Sequence, residues 1–277
     1  MRFGFTLPNN FGVADPHRVV ALAGEAEEAG FDSVWVNHHV LNIGYVGERL
    51  GQRPYHDALT VLTWAAATTN LVRLGTSVLV LPYLHPMVLA KQLATLDQLC
   101  GGRLVVGVGV GSLPEENAAL GVEWTRRGRY ADESIAVMRA LWNGPEASFD
   151  GEFFSFAGIV TSPKPRQHPH PPIVVGGNRV PALRRVARLG DGWHPLGVSP
   201  EGYAQRLAAI DGELDAAGRH RSELALSLRI DADRVDAHSI AAYEEAGVEE
   251  IVVSVPSGDL GVIRAALDRV AGCMAGS

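Results

Sequence analysis

Two rhythms of hydrophobic and polar positions take turns along this chain. Short apolar runs recur at residues 2–7, 33–37, 73–79, 103–109, 173–175, 192–196, 224–230 and 250–255. Between them lie segments with apolar positions three and four apart, at 17–29, 57–69, 86–100, 115–120, 129–142, 181–189, 202–217, 238–246 and 260–271. The first rhythm predicts strands and the second predicts helices. Punctuation agrees: Asp15-Pro16 opens the first helix and Gly30 closes it. Two stretches break the alternation. Residues 40–56 are polar and glycine-rich and read as a loop over the barrel mouth. Residues 149–172 pass from Asp150-Gly151-Glu152-Phe153-Phe154-Ser155-Phe156 into a proline-rich segment without helical spacing, which suits a lid or insertion. Eight β/α units predict a (β/α)₈ TIM barrel, a single domain over residues 1–277 with insertion loops at its C-terminal face. A doubly wound sheet is the alternative, but Pro8-Asn9-Asn10-Phe11-Gly12 does not supply its glycine-rich turn after the first strand.

Composition removes several classes of function. A net charge of −7 argues against general nucleic-acid binding. No apolar run approaches the roughly 18 residues of a membrane span, and the N-terminus runs into Arg2-Phe3-Gly4-Phe5-Thr6-Leu7, a strand rather than a signal peptide. Cys100 and Cys273 are too few for a disulfide framework or a zinc cluster. A reducing, cytoplasmic setting is the expectation.

The candidate chemistry gathers at strand ends. Leu74-Gly75-Thr76-Ser77-Val78-Leu79, Gly107-Val108-Gly109-Val110-Gly111 and Val174-Val175-Gly176-Gly177-Asn178 all end in small residues. Such endings admit a ligand close to the backbone, and three of them suggest a large cofactor across the barrel mouth. Gly107, Gly109 and Gly111 read either as tight packing or as access for a cofactor chain. Gly176-Gly177-Asn178-Arg179 precedes a helix, where free N–H groups favour a phosphate that Arg179 could pair. His38 and His39 close the second strand; period two puts Trp35, Asn37 and His39 on one face and Val36 and His38 on the other. Imidazole suits proton transfer. A metal site with His56 is the rival reading, though no Asp, Glu or Cys set accompanies these histidines at ligand spacing; hydrogen bonds to loop backbone are another. Arg126-Arg127-Gly128-Arg129 is a basic run that suits either an acidic ligand or a solvated helix start. Trp64 and Trp142 read as core, and Trp193 as a pocket residue.

The chain resembles the bacterial luciferase-like monooxygenase superfamily, and within it the branch that uses deazaflavin coenzyme F420. The resemblance covers residues 1–271 and rests on Ala29-Gly30-Phe31-Asp32-Ser33-Val34-Trp35-Val36, Leu74 to Leu79, Gly102-Arg103-Leu104 with Gly107-Val108-Gly109, and Gly190-Asp191-Gly192-Trp193. It implies a cis peptide at Ser77-Val78, with Val78 against the cofactor ring. It implies that His39 is the active-site histidine; many relatives carry Asp where this chain has His38. Ser112 stands where sugar-phosphate dehydrogenase relatives carry a Glu acid, which disfavours that substrate. The cofactor-binding set so implied is His38, Ser77, Val78, Gly107, Gly109, Gly111, Ser112, Gly176, Gly177, Asn178 and Arg179, with no metal. The activity implied is hydride exchange between F420 and a small organic substrate, in a homodimer. An FMN-dependent monooxygenase and a non-catalytic flavin-binding barrel are the alternatives.

Overall fold

A computed structural model describes residues 1–274; residues 275–277 of the expected domain lie outside the described residues. The chain opens with β1 (Arg2–Thr6), α1 (Pro16–Glu28) and β2 (Ser33–Val36), then crosses the mouth of the barrel through α2 (Gly44–Leu50) to α3 (Ala58–Thr68). The third barrel strand comes in two pieces, β3 (Arg73–Thr76) and β4 (Leu79–Val80), followed by α4 (Pro86–Leu99). Next come β5 (Leu104–Gly109), α5 (Pro114–Ala119), α6 (Arg127–Asn143) and the hairpin β6 (Ala147–Asp150) and β7 (Ser155–Ile159). The remaining units are β8 (Ile173–Gly176), α7 (Val180–Leu189), β9 (Gly192–His194), α8 (Pro200–Ala216), β10 (Ala225–Asp231), α9 (Ala237–Glu245), β11 (Glu250–Ser254) and α10 (Leu260–Met274). Parallel pairing runs β3-β2-β1-β11-β10-β9-β8-β5, and a β3–β5 pairing closes the ring. The expected (β/α)₈ barrel is therefore present.

Local chemistry explains the units. Asp15 accepts a hydrogen bond from His17 N (2.9 Å) and Pro16 starts α1. That helix buries Val19, Val20, Leu22, Ala23 and Ala26 on one face. On α4, Leu89, Ala90, Leu93 and Ala94 do the same against the barrel. Strands covered on both faces are buried at every position, as β2 and β11 are.

The inside of the barrel is plugged from below. Trp35, Val105, Val174 and Val252 form a small inner core. The Trp35 indole fits because Gly75 has no side chain: a Cβ there would lie 2.2 Å from the ring. Its Nε1–H donates to Ser33 Oγ (2.7 Å), Ser33 donates in turn to Glu250, and Arg73 Nη2 donates to Glu250 Oε2 (2.7 Å). With the lower half filled, only the carboxyl end of the barrel is open to ligands.

Four expectations need correcting. Residues 40–56 are not all irregular, because α2 forms there with Val46 and Leu50 buried against Leu113. Residues 149–172 do not form a lid. Glu133 accepts hydrogen bonds from Glu152 N, Phe153 N and Phe154 N (2.9, 2.8 and 2.7 Å), and Phe153 and Phe154 pack on Tyr130, so the hairpin is fastened to α6. Trp142 is core, but Trp64 is 37% exposed beside His17. Trp193 points outward to Tyr203 on α8 and donates to Gly177 O (2.8 Å), because it is His194 that takes the inward position on β9.

Candidate active site

A cavity of about 1000 Å³ opens at the carboxyl ends of the strands. Its lining holds five arginines, Arg49, Arg127, Arg179, Arg185 and Arg229, and no aspartate or glutamate. In a chain of net charge −7, that arrangement concentrates positive potential at one place.

The floor is the break between β3 and β4. The Ser77-Val78 peptide is cis, as the resemblance implies. Ser77 N donates to Val36 O (2.7 Å), and Ser77 Oγ bonds His194 Nε2 (2.8 Å). Arg229 Nη1 donates to Ser77 O (2.9 Å), to Ser77 Oγ (3.1 Å) and to Asn37 Oδ1. These bonds leave the Val78 side chain facing the cavity between two glycines. A Cβ on Gly109 would lie 2.7 Å from Val78 Cγ2, and one on Gly176 would lie 2.9 Å from Val78 Cγ1. The valine thus stands as an apolar platform with backbone on either side.

The histidines take different roles from those that strict alternation predicts. The strand ends at Val36, and Asn37 is held by Asn9, which donates to Asn37 O (2.8 Å) and accepts from Asn37 N (3.0 Å). Period two lapses there, and both His38 and His39 reach the cavity lining. His38 is buried and its Nδ1 accepts from Val80 N (3.2 Å). Burial pushes its pKa down to about 4, so the ring is neutral near pH 7. His39 Nδ1 lies 2.6 Å from Glu116 Oε2, and its Nε2 lies 2.9 Å from Tyr45 Oη. Glu116, on α5, is fully buried and also accepts from Val40 N (2.7 Å) and Leu41 N (3.0 Å). Burial alone would raise the Glu116 carboxyl, but the His39 bond and those two N–H groups more than offset it and hold it below its usual value. An ionised Glu116 accepts Nδ1–H and leaves the Nε2 lone pair towards Tyr45 and the cavity. Ser112 Oγ is 3.5 Å from Tyr45 Oη.

The opposite wall is the β8–α7 turn. Gly177 has φ +103°, which a side chain would strain, and Asn178 and Arg179 follow at the start of α7. Arg179 is exposed at the edge. Arg127 stacks on Trp124, with its guanidinium 3.5 Å from the ring centroid. Arg185 donates to Asp132 and to Gly128 O (3.1 Å). The basic run is split: Arg126 and Arg129 pair with Glu152, and only Arg127 reaches the cavity.

Of the residues singled out in the sequence, His38, His39, Ser77, Val78, Gly109, Gly111, Ser112, Gly176, Gly177, Asn178 and Arg179 line one cavity. Gly107 does not; it lies against Thr76 in the barrel wall. Glu116, Tyr45, Arg49, Tyr55 and Arg229 escaped notice. Glu116 lies 77 positions from His39, and only the fold brings them together. Arg229 stands between Leu228 and Ile230 on β10, and a charge inside a strand was the available signal. Among the described residues no group of three or more His, Cys, Asp or Glu could hold a metal, and no helix is long and apolar enough to cross a membrane.

Two buried rings set a pH response. An ordinary histidine titrates near 6.5, whereas burial takes native His38 to about 4, and burial with Arg229 nearby takes His194 to about 3. Between these values the unfolded chain binds protons that the native chain refuses. Stability should be full above pH 6.5 and should fall towards pH 4, by up to about 1.4 kcal/mol per pH unit for each ring. Thermal midpoints measured from pH 7.5 to 4.5 check this, and a flat profile would contradict it.

The fold and its cavity define a (β/α)₈-barrel enzyme with its site at the C-terminal face. The chain belongs to the luciferase-like monooxygenase family, whose model matches residues 1–258. It is 33% identical over 231 residues to the F420-dependent glucose-6-phosphate dehydrogenase of Microbacterium testaceum, covering 81% of this chain and 66% of that one. It is 37% identical over 215 residues to an uncharacterised protein of Mycobacterium bovis, covering 76% and 73%. Among solved structures, an F420-dependent secondary alcohol dehydrogenase in complex with an F420-acetone adduct superposes with a TM-score of 0.82 at 20% identity, covering 98% of this chain and 97% of that one. Long-chain alkane monooxygenase (LadA) superposes with a TM-score of 0.82 at 16% identity, covering 98% and 90%. At those identities the two structures establish the common fold.

Proposed function

We propose that this barrel is an F420-dependent oxidoreductase that exchanges hydride between the deazaflavin and a small organic substrate. The observation that carries the reading is the Val78 platform between Gly109 and Gly176, with arginines at the cavity edge. The platform fits a flat ring, since no Cβ intrudes beside it. The N–H groups at Gly177 and Asn178, with Arg179 and Arg127, fit a phosphodiester and an acidic tail. The Microbacterium relative, named for F420, supports the choice of cofactor. Its sugar phosphate does not carry over, because Ser112 stands where the resemblance places a Glu acid.

When bound, the deazaflavin supplies the hydride acceptor or donor. The chain supplies the rest. Val78 would back the ring, His39 Nε2 would take or give the substrate proton, and Glu116 holds His39 in the tautomer that leaves the Nε2 lone pair towards Tyr45 and the cavity. Tyr45 bonds Nε2 and stands 46% exposed, so it can pass that proton towards solvent. Neutral His38 adds no charge to the cavity lining.

Equilibrium titration of the protein with F420 and with FMN tests the reading. F420 should bind more tightly, and its affinity should fall as salt rises, because Arg179 is exposed. Equal or tighter binding of FMN would favour the flavin monooxygenase instead. Binding of F420 with no turnover of any alcohol or carbonyl compound would favour the non-catalytic barrel.

A further inference from the structure

We propose that Arg49, Tyr55 and Arg229 form a seat for the carboxylate of the substrate, which is then a small oxo or hydroxy acid; this rests on the hydride-transfer reading above. The three side chains line the same cavity. Each keeps a buried polar atom with no partner: Arg49 Nε, Tyr55 Oη and Arg229 Nε. Among the described residues Arg229 donates through Nη1 alone, to Asn37 and Ser77. Arg49 uses only Nη2, which donates to Asn10 O (3.1 Å), while its guanidinium lies 4.7 Å from the centre of the Phe11 ring.

Neither arginine is paired with a carboxylate among the described residues. Burial pushes the Arg229 guanidinium below its usual pKa; Tyr55, Asp231 and Tyr45 offset part of this, and the Arg49 charge adds to it. Two cations facing one cavity with no carboxylate in contact with either are unfavourable, and a bound anion reduces the penalty. Arg185, by contrast, already has Asp132. The wall therefore presents donors with no acceptor of their own, and Tyr55 Oη adds a third donor to the two guanidinium forks.

The position says which anion. The phosphate-binding turn before α7 has Arg179 of its own, whereas Arg49 comes from α2 beyond β2. Arg229 donates to Ser77 O, next to the Val78 platform. An anion there lies beside the reacting part of a bound ligand, not beside the cofactor's tail. A planar two-oxygen group suits the guanidinium fork best.

Isothermal titration calorimetry tests this on the cofactor-free and the F420-loaded protein. The probes are pyruvate, 4-methyl-2-oxopentanoate and phenylpyruvate, each against an uncharged methyl ketone of matching size. At least one acid should bind about tenfold or more tightly than its ketone, and Arg49→Met should remove most of that preference. Arg229→Met should do the same, and Arg129→Met, outside the cavity, should leave it unchanged. Arg49 lies on a short surface helix, so its variant keeps the test decisive even if the Arg229 variant fails to fold. Equal binding of acids and ketones, or no binding of any acid, overturns the inference. So does a preference that falls with Arg179→Met but not with Arg49→Met. Weaker F420 binding in the Arg49 and Arg229 variants with acid binding intact overturns it too, because the seat then serves the cofactor ring. Acid preference in a protein that binds no F420 would leave the seat in place and defeat the cofactor reading alone.

Discussion

Replacing His39 by alanine should lower kcat by roughly 10²–10⁴-fold, the loss typical of a removed acid–base group, with little change in F420 affinity. The expectation follows from three contacts. Glu116 Oε2 lies 2.6 Å from Nδ1, which fixes the proton on that nitrogen, while Tyr45 Oη marks the direction of the Nε2 lone pair at 2.9 Å. Glu116 is itself fully buried and anchored by Val40 N and Leu41 N, so the imidazole is held from behind by a group that cannot swing away. Glu116→Gln keeps the shape but loses the charge, and can donate where it used to accept. It should cost at least roughly tenfold in kcat by favouring the other tautomer. Glu116→Asp should recover part of that loss. Stopped-flow bleaching of the cofactor measures each rate, and F420 titration measures each affinity. Unchanged kcat in His39→Ala would remove the proton-transfer role, and loss of F420 binding in its place would make His39 a binding residue.

How much of this was legible follows from how local each signal is. The eight strand–helix units were readable because period two and the helical period are written within a few residues, with Asp15-Pro16 and Gly30 as punctuation. The glycine-rich strand ends pointed to the cavity for the same reason, and their glycines line it except Gly75 and Gly107. Alternation failed beyond Val36, where Asn9 rather than a neighbouring strand pairs the backbone of Asn37. Lid and insertion stayed open for residues 149–172 because the Glu133 carboxylate that fastens the inserted hairpin to α6 lies about twenty positions upstream. Glu116 and Arg229 illustrate the wider limit. Glu116 looks unremarkable among its neighbours in sequence, and both gain their roles from residues that only barrel closure brings near.

Gly107→Ala should be the most damaging small substitution in the barrel wall, although the residue lies outside the cavity. An ideal Cβ there would stand 1.7 Å from Thr76 O and 3.3 Å from Val78 Cγ1. The obstacle is backbone rather than a side chain that can rotate. Thr76 is the last residue of β3, its Oγ1 donates to Gly107 O (2.8 Å), and this contact lies where β3 and β5 close the ring. Relief would require moving one strand away from the other just beneath Ser77. Overpacking of this kind costs about 3 kcal/mol at the upper end of the usual range, which for a chain near this size lowers Tm by roughly 6–12 °C. Gly109→Ala is the informative comparison. Its nearest neighbour is Val78 Cγ2 at 2.7 Å, a methyl group that can turn, so stability should fall less while the platform for the cofactor changes and F420 affinity drops. Gly24→Ala, within α1 with nothing within 4 Å of its Cβ position, should instead gain roughly 0.5–1 kcal/mol. Differential scanning calorimetry on the three variants ranks them, and a Gly107→Ala protein as stable as the parent would contradict the closeness of β3 and β5.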